Sequence, residues 1–216
     1  MLKIYGQARS RTFRVLWMAG ELGIPYEHVP VGIGSGEAAE CRSPWFLSIN
    51  PNGRVPAIDD DGFRLWESMA INLYLARKHA SPLCPRTPED EARMLQWAFF
   101  AVNDLEPRVV AMFQHRVAFP EKKRNAAAAD EAEAGLQPKL AILEAELGRQ
   151  RTLAGDAWGL ADFLVASVLA TLELMRYDLA RYPYLAAWLQ ASLARPAAQA
   201  ARAMREAGNK ARTPGR

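Results

Sequence analysis

The sequence predicts a chain in two parts: an α/β domain over residues 1–80 and an all-α helical bundle over 88–208. Three observations carry this. The first eighty residues read as strand–helix–strand followed by a hairpin and a helix. The segment Ser81–Pro88 (SPLCPRTP) then packs three prolines into eight residues, as a linker does. From Thr87 onward the chain is rich in Ala, Leu and Glu at helical spacing, with almost no strand signal. Both parts fall in the ordinary size range of a domain.

The elements follow in order. Leu2–Tyr5 is short, β-prone and closed by Gly6, which makes a first strand. Phe13, Leu16, Trp17 and Gly20 recur at helical spacing, and Gly23 with Pro25 ends that helix. Tyr26–Val31 reads as a second strand, and Pro30 within it places it at a sheet edge. Together they predict a parallel βαβ unit. Gly32–Gly36 is a loop, and Glu37–Ile49 a short helix with Pro44 in its middle. Val55–Ile58 and Phe63–Trp66 are two strands joined by the turn DDDG. A helix over Ser68–His79 is led by Met69, Leu73 and Ala76. After the linker at 81–87, Thr87-Pro88-Glu89-Asp90 supplies an N-cap, a proline at the first helical position and an acidic first turn. Helices are expected near 88–118, 121–148, 160–176, 183–194 and 196–207, the first kinked at Pro107. A basic tail is expected at 209–216.

Composition narrows the function. Of 216 residues, 50% are hydrophobic and 24% charged, the mix of a soluble globular protein. The formal charge of +3 divides into +1 over residues 1–80, −2 over 81–201 and +4 over 202–216. The folded body is therefore near neutral, and a nucleic-acid partner is not expected. Cys41 and Cys84 form no Cys-x-x-Cys pair and no metal-ligand spacing, so they read as incidental thiols, with no metal site. The longest apolar stretch, Phe163–Leu172, is too short to cross a bilayer, and MLKIYG does not open a signal peptide. A cytoplasmic protein with no membrane partner is the expectation.

Three places can carry chemistry. Ser10, in ARSRTFRVLW, lies between the first strand and the first helix. It is either the N-cap of that helix or a hydroxyl aimed at an anion, for the free N–H groups and dipole there favour negative charge. Val55-Pro56 begins an expected strand with a residue that has no N–H to donate. It is either an edge-strand proline or a cis bond that turns the valine N–H and C=O toward a ligand. Glu67-Ser68 opens the third helix. It is either a cap with an acidic neighbour or a site where helix N–H groups and a hydroxyl meet a ligand carboxylate while Glu67 holds an ammonium. An α-amino-acid head satisfies both groups of that second arrangement.

Taken together, the order strand–Ser–helix–strand, then Asn-Pro-x-Gly-Arg-Val-Pro, then hairpin–Glu-Ser–helix, linker and helical domain closely resembles the cytosolic glutathione transferase family across the whole chain. The segments YGQARSRTFRVLWMAGELGIPYE and FLSINPNGRVPAIDDDGFRLWESMAINLYLA are similar to that family's thioredoxin-like N-terminal domain, and the second is very specific. The resemblance is to the bacterial type with a serine-type active site. It implies a thioredoxin-like glutathione-binding domain at 1–80 and a helical domain lining the second-substrate site. It implies that Val55, before a cis Pro56, pairs through its backbone with the cysteinyl part of glutathione. Glu67 and Ser68 would hold the γ-glutamyl head, and Arg54 falls near the glycyl carboxylate. Ser10 falls four residues before Arg14-Val15, the spacing of the catalytic serine, with Thr12 as the back-up hydroxyl. Tyr5 lies in the strand, so a tyrosine-type site is not favoured, and residue 10 is not Cys.

A hydroxyl donating to a thiolate contributes about 1.5–3 kcal/mol. A helix N-terminus adds roughly 0.3–1 kcal/mol. The two together lower a thiol pKa by about one to three, from ~8.5 to the neutral range. Glutathione is then a co-substrate with no bound cofactor, its thiolate attacking a small hydrophobic electrophile. The resemblance also implies a homodimer and a second-substrate site between the domains. Asn103, Arg108, Phe113 and Arg116 are its candidates, each equally readable as core or solvated face, and Asp104 would reach the partner's γ-glutamyl amine. In LAGDAWGLADFLVAS, similar to the family's folding motif, Gly159 replaces the usual Ser or Thr cap, Asp162 is three residues on, and Trp158 with Phe163 forms a hydrophobic staple. Other reactions use the same glutathione site: isomerisation, dehalogenation, peroxide reduction and disulfide reduction. A transferase-like binding protein without turnover is the remaining alternative.

Overall fold

The computed structural model describes residues 1–34 and 39–210, with side chains up to residue 207. The start of the expected helix at Glu37 and the basic residues from 211 onward lie outside the described residues. The chain divides into two compact units, one of Met1–Ser81 with the segment from Arg195, the other of Pro82–Ala194.

The first unit is built on a four-stranded sheet of order β2-β1-β3-β4, formed by β1 (Leu2–Tyr5), β2 (Tyr26–Val29), β3 (Ala57–Asp60) and β4 (Phe63–Trp66). β2 runs parallel to β1, with Ile4 opposite His28, and β3 runs antiparallel to β1, with Ile4 opposite Ile58. β2 is the edge strand that Pro30 predicted, and it stops at Val29 before that proline. β3 begins two residues later than expected. Pro56 has no N–H for the ladder, so pairing starts at Ala57. The hairpin turn places Asp61 and Gly62 at φ 53° and 93°, the left-handed pair that joins twisted strands tightly.

Helix α1 (Thr12–Leu22) ends where Gly23 adopts φ 62° and returns its N–H to the carbonyls of Ala19 and Gly20. Every residue from Thr12 to Ala19 is buried. The expected helix over 37–49 is a 3₁₀ turn at Glu40–Arg42 and the short α2 (Pro44–Leu47), because Pro44 is tolerated only in a first turn. Helix α3 covers Ser68–Lys78.

The last helix differs most from expectation. The helix from Pro196 to Lys210, expected in the helical domain, groups with the first unit and packs on α1. Its approach is close: a Cβ on Gly20 would sit 3.0 Å from Ala197 Cβ. Glu21 anchors it, accepting two bonds of 2.7 Å from Arg195 and one of 2.9 Å from the Trp17 indole. The Arg205 guanidinium lies 4.6 Å from the Phe13 ring centroid.

In the second unit, α4 (Pro88–Phe100) starts as its sequence predicts, with Thr87 Oγ1 accepting from the Asp90 N–H at 3.1 Å. Pro107 stands in the first turn of a new helix rather than inside one long one. Residues Ala101–Leu105 widen into a π turn before α5 (Glu106–Phe113), which relieves the missing N–H and the clash of the proline ring with the preceding turn. A second π turn spans Gln114–Ala118. The long α6 (Ala126–Arg149) begins later than expected, because Asn125 caps it through the Ala128 N–H at 3.2 Å while 121–123 form a 3₁₀ turn. Helix α7 (Leu160–Leu174) is buried on nearly all sides and forms the centre of the unit. Helix α8 (Pro183–Leu193) follows, and Pro196–Lys210 is α9.

Asp162, fully buried at the start of α7, holds three donors: the Leu153 N–H at 2.9 Å, the Gly159 N–H at 3.0 Å and the Trp188 indole N–H at 2.8 Å. Burial pushes its carboxyl above the usual range, and these donors act against that. Trp158 and Phe163 meet edge-on at 6.4 Å, the expected staple. Gly159 has a local reason. The Leu83 carbonyl accepts the Leu160 N–H at 2.9 Å and lies 3.3 Å from where a Cβ on residue 159 would stand.

On α6, Glu133 accepts from Arg116, which with the Arg116 charge holds its carboxyl below the usual range. Tyr177 is pushed up to about 12, first by burial and then by the charge of Glu133. Opposite pH responses are expected at the two ends of the scale. Glu133 is joined at the acid end by Asp60, whose burial is outweighed by donors from Lys78 and Tyr74. A folded pKa below the unfolded one adds stability above the unfolded value, lost as pH falls through the folded one. For Tyr177 the proton is held tighter in the fold, so stability present below the ordinary tyrosine value of 10.0 is lost as pH rises toward about 12. Thermal melts across pH should therefore fall off at both ends. A Tyr177→Phe protein should keep its stability better above pH 10.

Candidate active site

The N-terminal turns of α1 are common to every part of the site in the first unit. Ser10 lies in the turn that leads into α1 and is half-buried. Its hydroxyl donates to the Gln7 carbonyl at 2.7 Å, since a carbonyl can only accept. Its oxygen receives the Thr12 N–H at 3.2 Å. Thr12 Oγ1 is 2.9 Å away, and with Ser10's one proton on Gln7, Thr12 is the donor of that bond. Thr12 is fully buried. The two hydroxyls thus form a chain in which Ser10 is the member that faces outward. Arg9 and Arg11 flank Ser10 in sequence, and Arg9 Nε bonds the Gln7 side chain at 2.7 Å.

The Val55-Pro56 bond is cis. Gly6 brings this loop to Thr12. A Cβ on Gly6 would lie 2.2 Å from Thr12 Oγ1 and 2.7 Å from Val55 Cβ, and its φ is 128°, so only glycine fits. His28 Nε2 is 2.7 Å from the Gly6 carbonyl and donates to it. The loop itself is shaped by Asn50, which is 1% exposed. Its amide donates to the Arg54 carbonyl at 2.6 Å, and its oxygen accepts the Asn52 N–H at 3.0 Å. The Arg54 side chain is exposed, as is Arg42, whose guanidinium packs against Gly53.

Ser68 is the first residue of α3 and is buried, while Glu67 before it is exposed. Glu67 has φ 72° and ψ 112°, a conformation that a residue with a side chain rarely adopts and that costs about 1–3 kcal/mol. Arg14 Nη1, reaching from α1, donates to Ser68 Oγ at 3.3 Å. Tyr5 stays in the strand, its ring 6.3 Å from those of Trp45 and Phe46, and burial with the Asp59 charge pushes its phenol up. Cys41 is buried in the core beside Tyr5 and Phe46.

The structure therefore brings Ser10, Val55 and Ser68 into one framework through Thr12, Gly6 and Arg14. The four second-substrate candidates lie in the other unit and are differently occupied. Asn103 is exposed and Phe113 half-buried. Arg108 donates to the Asp104 carbonyl at 2.5 Å and packs on Gly135. Arg116 is held by Glu133 at 2.5 Å and Asp130 at 3.2 Å, an ion-pair role within the unit. The Asp104 carboxylate pairs with Lys139 at 2.7 Å. Among the described residues no group of three or more His, Cys, Asp or Glu is placed to hold a metal, and no helix is long and apolar enough to cross a membrane.

Sequence reasoning missed Arg14 and Asn50. Arg14 stood only as a spacing marker. Asn50 carries a signal: Asn before Pro favours turn initiation, and its side chain can bond its own backbone two residues on.

A sheet of this topology with a cis-proline loop beside two helix N-termini, followed by a helical unit, defines the class: a thioredoxin-like domain joined to an all-α domain. Residues 1–77 match the family model "Glutathione S-transferase, N-terminal domain", and residues 107–196 match "Glutathione S-transferase, C-terminal domain". The chain belongs to the glutathione S-transferase family. It is similar to glutathione S-transferase 4 of Zea mays, 33% identical over 203 residues that cover 91% of this chain and 90% of the relative. It is similar to glutathione S-transferase GstB of Escherichia coli K12, 30% identical over 201 residues covering 91% and 95%. Among solved structures, the theta class glutathione S-transferase of Xanthomonas axonopodis pv. citri, with glutathione bound, is 30% identical with a TM-score of 0.85, covering 93% of this chain and 96% of that one.

Proposed function

We propose that this protein conjugates the thiolate of glutathione to small hydrophobic electrophiles, with Ser10 donating a hydrogen bond to the sulfur. One observation carries the reading. The Ser10 hydroxyl is the outward member of a two-hydroxyl chain, supported from behind by the buried Thr12. When a thiolate arrives, the Ser10 proton turns from the Gln7 carbonyl to the sulfur, while the Thr12 O–H and N–H continue to satisfy the Ser10 oxygen. The fully buried position of Thr12 favours Ser10 over Thr12 as the group that touches sulfur.

The rest of the glutathione molecule has matching partners. The Val55 backbone, freed of ladder pairing before Pro56, meets the cysteinyl amide. Ser68 and the open N–H groups of α3 meet the γ-glutamyl carboxylate, and Glu67 meets the amine. Arg54, exposed beside Val55, meets the glycyl carboxylate. The strained Glu67 supports this, for such backbone conformations concentrate at ligand sites. A homodimer belongs to the same reading: Phe63 and Trp66, 49% and 39% exposed on the free edge strand β4, offer apolar surface to a second copy.

The test is retention on immobilised glutathione together with turnover of a chromogenic haloarene. Retention that free glutathione reverses, with glutathione-dependent turnover, is the expected result. Retention without turnover on any of a panel of electrophiles contradicts conjugation and leaves a binding protein.

A further inference from the structure

We propose that His28 is a positioning residue for the Ser10 hydroxyl, acting through the backbone of Gly6 and Gln7. The proposal rests on the reading of Ser10 given above. His28 stands opposite Ile4 in the parallel pair of β1 and β2. Its imidazole reaches past the end of β1 at Tyr5 to the Gly6 carbonyl, at 2.7 Å. A carbonyl only accepts, so Nε2 carries the proton of this bond. Gly6 is buried and leaves the strand at φ 128°, and the Val29 carbonyl takes its N–H at 2.9 Å. Both polar groups of Gly6 are thus held from β2, one by backbone and one by His28. The next carbonyl in the chain, that of Gln7, takes both the N–H of Ser10 at 2.9 Å and its O–H at 2.7 Å. His28 therefore fixes the peptide that directly precedes the group placing Ser10.

The strand itself does not call for a histidine. β2 is an edge strand, and a β-branched or other aromatic residue serves such a position as well. What those residues lack is a donor for a buried carbonyl that has turned out of the sheet, and a buried carbonyl left unmet is costly. Movement at Gly6 is felt across the sulfur site. A Cβ there would strike both Thr12 Oγ1 and Val55 Cβ, so the glycine packs closely against the hydroxyl behind Ser10 and against the cis-proline loop. When the Ser10 proton turns to a sulfur, the Ser10 N–H stays on the Gln7 carbonyl, so this anchor holds the hydroxyl in both states. A hydrogen bond to a thiolate weakens with small displacements of its donor, and a donor is effective when a second set of bonds fixes it.

Two measurements test this. The thiolate absorbance of bound glutathione across pH gives the pKa of the bound thiol. The Kd of S-methylglutathione, which has no thiol to ionise, reports the rest of the site. The proteins are wild type, His28→Leu, His28→Gln, Ser10→Ala and the His28→Leu/Ser10→Ala double variant. His28→Leu should raise the bound thiol's pKa by about half to one unit, which is about a three- to tenfold loss of thiolate stabilisation. Its Kd for S-methylglutathione should stay within about twofold of wild type, because that ligand makes no thiolate bond to Ser10. His28→Gln, whose amide nitrogen can stand in the place of Nε2, should recover most of the shift. The double variant should titrate like Ser10→Ala, because His28 works only through that hydroxyl. If circular dichroism shows His28→Leu unfolded, His28→Asn, polar but too short to reach Gly6, takes its place in the same cycle. An unmoved thiol pKa in His28→Leu, while Ser10→Ala raises it, overturns the role of His28 alone. So does a shift that His28→Gln leaves unrelieved, a matching loss of S-methylglutathione affinity, or a larger shift in the double variant than in Ser10→Ala. A wild-type thiol pKa in Ser10→Ala overturns the reading of Ser10 and, with it, this proposal.

Discussion

Replacing Ser10 by alanine is expected to lower kcat/KM for glutathione about ten- to hundredfold near neutral pH. The size follows from one charge-assisted hydrogen bond, about 1.5–3 kcal/mol, made to the thiolate and not to the thiol. The pH profile gives the mechanism. An enzyme that stabilises the thiolate titrates at lower pH than one that does not, so the acid limb of the variant should move up by about one to two pH units. Above the thiol's own pKa of about 8.5 the two enzymes should converge, because the sulfur ionises unaided. Thr12→Val should fall between them. It leaves the Ser10 proton in place and removes only the bond behind it.

Replacing Asp162 by alanine is expected to remove about 3–5 kcal/mol of stability from the second unit, enough to unfold a marginal domain. Three donors, two of them buried, lose their acceptor at once: two backbone N–H groups and an indole. Asp162→Asn keeps one acceptor oxygen but turns an NH₂ toward one of the donors, so about 1–3 kcal/mol is expected. Denaturant melts followed by Trp fluorescence measure both, and Trp188, which donates to Asp162, is a local reporter. Gly159→Ser should not help, although serine is the better cap in isolation, because the Leu83 carbonyl crowds the added Cβ.

Much of the first unit was legible because its signals are local. Gly23 after α1 and the DDDG turn act within two or three residues and stand where the sequence places them, whereas Pro30, read as lying within the second strand, ends it at Val29. The start of β3 was misplaced by two residues, since Val55 has strand character while Pro56 cannot enter the ladder. In the second unit, the Thr87 cap and Asp162 at the head of α7 were readable for the same reason. Tertiary facts were not. The partner of α9 depends on Glu21 and Arg195, which are 174 residues apart and carry no mutual pattern. Arg116 looked available for a ligand because nothing near it in sequence reveals Glu133 one helix away.

For the site, Ser10, Val55-Pro56 and Glu67-Ser68 were legible as three anion- or backbone-presenting turns. What joins them was not. Thr12, Gly6 and Arg14 act across the fold, and a buried arginine on an apolar helix face is indistinguishable by periodicity from one that snorkels to solvent. The hydroxyl chain from Thr12 to Ser10 needed coordinates, because it depends on which acceptor takes the one serine proton.

The central claim is that Ser10 lowers the pKa of glutathione's thiol while it is bound. The most direct measurement is the ultraviolet thiolate absorbance of glutathione on the wild-type and Ser10→Ala proteins, titrated across pH at saturating protein. Wild type should show the thiolate as the major form near neutral pH, with the variant titrating close to the free thiol at about 8.5. Coincident curves for the two proteins would contradict the assignment of Ser10.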